Sequence, residues 1–180
     1  DTEHYINHLS FNPSGNRFLF FHVWNNNGKR YTRAITSDIH GDNWFQLNDG
    51  RAVSHYTWKS DNELLMTGYG PNGFGYYLFR DQSDEVRQMG ENVLNQDGHP
   101  SFLSNGGIVT DTYPQPIFNE QQLLIYDFNG RLNMLAKIHS SFNNQGEFKC
   151  DLHPRYSSNL SKIAVDTSGR GKRKICVFSV

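Results

Sequence analysis

Apolar residues come along this chain in short runs, separated by clusters of Asn, Asp, Ser, Pro and Gly. Four runs are the strongest: Phe18 to Trp24, Leu64 to Tyr69, Ile108 to Tyr113 and Ile163 to Asp166. A second run follows each of them, at Tyr31 to Ile35, Tyr76 to Phe79, Leu123 to Phe128 and Ile175 to Val180. Runs this short, bounded by turn residues, predict strands buried between packed sheets. No apolar stripe of helical period reaches a useful length. Weaker outer strands are read at Trp44 to Leu47, Val86 to Met89 and Met134 to Ile138.

The runs belong to a repeat. Each is preceded by a histidine that stands three residues before an aromatic, as His8-Leu9-Ser10-Phe11, His55-Tyr56-Thr57-Trp58, His99-Pro100-Ser101-Phe102 and His153-Pro154-Arg155-Tyr156. A turn follows each opening: Asn12-Pro13-Ser14-Gly15, Lys59-Ser60-Asp61-Asn62, Leu103-Ser104-Asn105-Gly106 and Ser157-Ser158-Asn159-Leu160. These residue types supply the conformations a tight hairpin demands. The histidines lie 47, 44 and 54 residues apart, the length of a four-stranded propeller blade. The expected fold is therefore all-β, a β-propeller of four tandem antiparallel blades in one partial domain. The blades fall at about residues 5–49, 50–94, 95–146 and 147–180.

The fourth copy stops after its third strand. Residues before Asp1, or the segment Tyr5 to Asn7, would have to supply the outer strand. An open array leaves an unpaired edge. Either missing N-terminal blades complete a larger ring of about seven, from the known range of about 4 to 8, or a partner does. The fragment reading is the preferred one.

Composition narrows the function classes. A formal net charge of −1 argues against a nucleic-acid surface, which needs a clustered basic excess. The run Lys172-Arg173-Lys174 reads as a solvated hairpin. No apolar stretch approaches the roughly 20 residues that span a bilayer, and no charged-then-apolar leader opens the sequence. Cys150 and Cys176 are too few for a disulfide framework. The expectation is a cytoplasmic, reducing compartment, with the periplasm as the alternative if a leader has been removed.

The first strand of a blade lines the central channel, so four histidines in register would ring one mouth of it. Taken singly, each is more simply a bond between blades. A second register, near the end of the second strand, reads His22, Thr67, Asp111 and Asp166. Asp97 and Asp151 each stand two residues before a repeat histidine, and residues two apart in a strand face one side. Asp151 with His153 is thus half of a metal site. Imidazole with carboxylate suits manganese, zinc or iron better than calcium.

The blade openings resemble the last four blades of the oligogalacturonate lyases, a seven-bladed family that is itself similar to the TolB-type repeats. Asn7-His8-Leu9-Ser10-Phe11 through Phe21-His22 is similar to a family blade that opens Gly-His-Pro and carries Cys-His at the end of its second strand. Ser54-His55-Tyr56-Thr57-Trp58 resembles Thr-His-Glu-Phe-Trp. Asp151-Leu152-His153-Pro154-Arg155-Tyr156 resembles His-Pro-His-Pro-Ser-Phe of the last family blade.

The resemblance implies β-elimination on uronic-acid oligosaccharides, with a manganese-type divalent ion neutralising the uronate carboxylate. A histidine then removes the proton α to it, which is chemistry suited to imidazole near neutral pH. It implies His55 and His153 as metal ligands and His8 as the base, with His22 in reserve. Asp151 stands where the family has a ligand histidine and can itself bind metal. The family's ligand glutamine aligns with Phe148, which cannot bind an ion, so Glu147 beside it is the candidate ligand there. The family's assisting arginine falls upstream of Asp1. His99, Asp97, Asp111, Arg155, Trp24 and Tyr113 are the expected substrate contacts, and Arg30 and Arg33 are read as surface residues. Three functions stay open: a lyase on acidic saccharides, a carbohydrate-binding or polysaccharide-pathway propeller without catalysis, and a TolB-like scaffold for protein partners whose histidines only tie blades together.

Overall fold

Aromatic and β-branched residues pack well on a pleated, half-buried surface, and each apolar run forms a strand that the next turn folds back on its neighbour. The computed structural model describes residues 3–127, 129–141 and 146–180, with the side chains of Glu147 and Arg170 outside the description. The chain divides into two compact units, residues 1–95 and 96–180, each holding two antiparallel sheets.

In the first unit, one sheet runs in the order β1 (His4–Phe11), β2 (Arg17–Asn26), β3 (Lys29–Asp38) and β4 (Phe45–Gln46). The other has β5 (Val53–Trp58), β6 (Glu63–Gly70), β7 (Gly73–Arg80) and β8 (Val86–Met89). In the second unit, β9 (Ser101–Phe102), β10 (Ile108–Asp111), β11 (Glu120–Tyr126) and β12 (Leu132–His139) form a third meander. The last sheet has only β13 (Arg155–Ser157), β14 (Lys162–Thr167) and β15 (Lys174–Ser179). Among the described residues no helix is long and apolar enough to cross a membrane.

The expected strands are found, with shifted ends. The run expected to reach Tyr113 stops at Asp111, and Phe128, the expected end of a third strand, lies outside the described residues. Tyr5 to Asn7 cannot complete the last sheet. They belong to β1, where Tyr5 pairs with Val23, Ile6 with His22 and Asn7 with Phe21.

Packing within each unit follows from alternation along the strands. In the first, Leu19, Phe21, Val23 and Ala34 of one sheet meet Val53, Leu64, Met66, Tyr77 and Phe79 of the other. Burying each of the larger side chains contributes about 1.5–3 kcal/mol. The two sheets are also joined by a buried ion pair, Arg17 Nε to Asp81 Oδ2 at 2.6 Å, in which Arg17 also donates to Thr36 Oγ1 at 3.0 Å. In the second unit, Val109 and Leu123 pack against Leu152, Ile163 and Val165, with Cys176 and Phe178 beside them. Cys150 and Cys176 are both free thiols.

Candidate functional site

The blade-opening histidines sit where the innermost strand is interrupted. The β1 register shifts between Asn7 and Ser10, so His8 lies in a bulge, and the β5 register shifts between Val53 and Tyr56, around His55. Bulges re-aim a side chain out of the ladder. In the other two copies the strand starts only at Ser101 and Arg155, after a His-Pro pair whose proline has no N–H to give. His8 and His153 take left-handed backbone, at φ 55° and 44°, a conformation uncommon for any residue with a Cβ.

Strand pairing corrects the second register. Ser10 pairs with Leu19, Thr57 with Leu65, Ser101 with Val109 and Arg155 with Ala164. Two residues further along the second strand are Phe21, Thr67, Asp111 and Asp166. The first copy therefore holds Phe21 where His22 was expected, since a slip of one residue moves a side chain to the opposite face. The His8 ring lies 5.1 Å from that of Phe21 and 5.8 Å from that of His55. His22 instead shares a 2.9 Å hydrogen bond with His4 and stacks with Trp24, which stacks in turn on Tyr31. The Arg33 guanidinium lies over Trp24, 4.8 Å from the ring centre. Burial first, then His4 and Arg33, lower the pKa of His22.

The corrected register holds the histidine backbone. Thr67 Oγ1 accepts from the His55 amide at 3.1 Å. Asp111, almost fully buried, accepts from the His99 amide at 2.7 Å, from His99 Nδ1 at 2.9 and 3.0 Å, and from the amide of His153 in the next sheet at 3.0 Å. Gly98 is required beside it, because a Cβ there would stand 2.0 Å from the Asp111 carbonyl oxygen. Tyr56 plays a related part in the first unit, donating to the His8 carbonyl at 2.7 Å.

His99, Asp151 and His153 converge, with one ligand atom from each lying within 4.8 Å of the others. The rings of His99 and His153 stand 3.8 Å apart, centre to centre. Asp151 and His153 reach this place from an irregular segment before β13, and not from the strand whose alternation was expected to align them. Asp151 Oδ2 lies 3.1 Å from Lys149 Nζ, and its other oxygen is buried without a hydrogen-bond partner among the described residues. Burial, foremost, and the neighbouring His99 lower the pKa of His153. A cleft of about 480 Å³ opens here, lined by Lys149, Asp151, His153, Asp166, Arg173 and Lys174 among others.

The remaining expected residues are dispersed. His55 lies in the first unit, against His8. Asp97 is half-buried in the segment leading to Gly98, and Arg155 is paired with Asp166 at 3.0 Å. Tyr113 meets the edge of His99 and carries the Lys149 ammonium 3.8 Å from its ring centre. The Glu147 side chain lies outside the described residues, and Phe148 is exposed. Sequence reasoning missed Lys149, His4 and Tyr56. Only Lys149 left a signal, two residues before Asp151.

The architecture has known counterparts. TolB from Acinetobacter baumannii is similar, with a TM-score of 0.65 and 16% identity over 95% of this chain. The β-propeller domain of the Trilobed protease from Pyrococcus furiosus, described as having an open velcro topology, has a TM-score of 0.61 and 13% identity over 97%. The fold is a β-propeller. This chain spans 40% of the length of the first and 55% of the second. No family model matches the sequence, and no curated protein does. The propeller repeat and its TolB-like fold are thus supported, and the likeness to oligogalacturonate lyases gains no support from these comparisons.

Proposed function

We propose that this propeller is a TolB-like scaffold for protein partners, in which the blade-opening histidines tie neighbouring blades together. The observation that carries this reading is Asp111, which accepts from His99 twice over and from the His153 amide in the segment leading into the adjoining sheet. Thr67 and Tyr56 hold His55 and His8 through backbone groups in the same spirit. Tyr56 thus ties the His8 segment to the next sheet, whereas Thr67 holds His55 within its own sheet. The exposed apolar side chains fit a protein-facing surface: Ile6, Phe11 and Trp44 in the first unit, Ile175 and Val177 in the second.

The acidic-saccharide lyase is the second reading, favoured by one feature of the cleft. Lys149, Arg173 and Lys174 flank His153 there, and cations of this kind would hold a uronate carboxylate. In this reading His8, the base that the resemblance implies, takes the proton α to the carboxylate. The C–H electron pair becomes the new C=C bond, and the β C–O bond breaks with its pair on the departing sugar oxygen, which takes a proton from water. A divalent ion held by Asp151 and His153, two of the ligands that the resemblance implies, would stabilise the developing negative charge.

One experiment separates the two. The chain is incubated with acidic oligosaccharides and manganese while absorbance of a conjugated unsaturated product is followed, and the melting temperature of His8→Ala and His99→Ala is measured alongside. The scaffold reading expects no product and a lowered melting temperature for both variants. Product formation that His8→Ala abolishes overturns it in favour of the lyase.

A further inference from the structure

The set of ligands implied by the resemblance is not the set the geometry assembles. The convergent group contains His99, which was expected to contact substrate, beside Asp151 and His153. We infer that these three side chains form a binding site for one divalent transition ion of the zinc class, open to the adjoining cleft. The inference stands whether the propeller is a scaffold or an enzyme, because it concerns binding alone.

Three observations carry it. The first is proximity. Ligand atoms round a tetrahedral ion lie about 3.4 Å apart, given metal–nitrogen and metal–oxygen distances of about 2.1 Å, so a group already within 4.8 Å closes with small side-chain rotations. The second is the buried Asp151 Oδ1, which has no hydrogen-bond partner among the described residues. An orphaned carboxylate oxygen is costly in a protein interior, and a cation satisfies it directly. The third is Asp111. A carboxylate only accepts, so His99 Nδ1 donates to Asp111, and the metal-binding, neutral form of the ring then carries its lone pair on Nε2. Carboxylate, then histidine, then metal is the arrangement that orients imidazole ligands and raises their basicity.

The donor set selects the ion. Two imidazoles and one carboxylate suit zinc, iron or manganese, whereas calcium requires six or more oxygens. Three protein ligands leave a coordination position for water or a ligand arriving through the cleft. Lys149, 3.1 Å from Asp151 Oδ2, supplies the positive charge there when no ion is bound.

Equilibrium dialysis of the chelator-treated chain against zinc tests this, with cobalt(II) as the spectroscopic probe. The expected result is one equivalent bound, a visible cobalt band typical of low coordination number, and a zinc-dependent rise in melting temperature. Asp151→Asn and His153→Gln should each weaken zinc binding at least tenfold and remove the rise, while Asp111→Asn weakens it by about 10- to 100-fold through its partner His99. His55→Ala should bind zinc as the parent does. Melting curves without metal establish that each variant is folded. Zinc binding by Asp151→Asn equal to that of the parent overturns the site. Loss in His55→Ala as deep as in His153→Gln overturns this set in favour of the one the resemblance implies.

Discussion

The two units solve one structural problem with different chemistry. Each must hold the amide of a blade-opening histidine where the innermost strand is interrupted. In the first unit a neutral hydroxyl, Thr67 Oγ1, does this for His55, and the neighbouring copy places Phe21 at the same register. In the second a buried carboxylate, Asp111, takes two amides and a ring nitrogen at once. A hydroxyl at this position satisfies one donor and adds no charge. A carboxylate gathers several donors, joins two sheets and fixes the ring of the histidine it holds. The same repeat position is thus a local cap in one unit and the centre of a polar network in the other.

Removing each holder measures that difference. Asp111→Ala leaves the buried His99 amide and ring and the part-buried His153 amide without their acceptor, and should cost about 3–5 kcal/mol, in line with breaking a buried charged network. Thr67→Val keeps the shape and loses one neutral hydrogen bond, for about 1 kcal/mol. Denaturant unfolding of both variants checks the contrast. Equal losses would mean that the carboxylate serves the fold no better than the hydroxyl.

Gly98 sharpens the comparison without touching a side chain of the network. Its Cα approaches the Asp111 backbone so closely that an added Cβ would fall 2.0 Å from the carbonyl oxygen. Gly98→Ala must therefore push the His99 segment away from Asp111, at a cost of about 2–4 kcal/mol, typical of steric strain inside a packed region. Gly106→Ala serves as the control, since its Cβ would meet nothing within 4 Å and only its positive φ opposes it. A Gly98→Ala variant as stable as Gly106→Ala would show that the segment tolerates displacement and that Asp111 can release it.

The blades were legible because propeller strands are short, apolar and fenced by turns, and His8, His55, His99 and His153 mark the same step of each copy. The second register was harder to read. Phe11 to Phe18 spans one residue more than Trp58 to Leu64, so Phe21 stands 13 residues after its histidine where Thr67 stands 12 after its own. A fixed offset misses this alignment, and the polar His22, one residue further on, reads in its place. The convergence of His99 with His153 could not be read at all. It depends on a left-handed backbone at His153 and on packing between two sheets, neither of which leaves a mark in spacing. Polar residues standing in register were visible in the sequence; which of them meet was decided by backbone turns and by the contacts of Asp111.

The smallest expected effect concerns the histidine that the register correction moved. His22 lies on the opposite face of its sheet from His8, bonded to His4 of β1 and near Arg33 of β3. Burial, followed by these two neighbours, lowers its pKa below the ordinary value of 6.5. The unfolded chain then binds more protons than the folded one as pH falls below 6.5. The stability this histidine contributes is complete above that pH and is lost as pH drops through the folded value. Melting temperature should therefore fall between pH 7.5 and pH 5.5, roughly one unit either side of the unfolded value. His22→Gln should flatten part of that slope and leave the pH 7.5 value nearly unchanged. His153 is shifted in the same direction, so some slope remains in the variant. A pH profile identical in His22→Gln and the parent would show that His22 contributes nothing to the acid sensitivity and would leave His153, bound into the carboxylate network of the second unit, as its identified source.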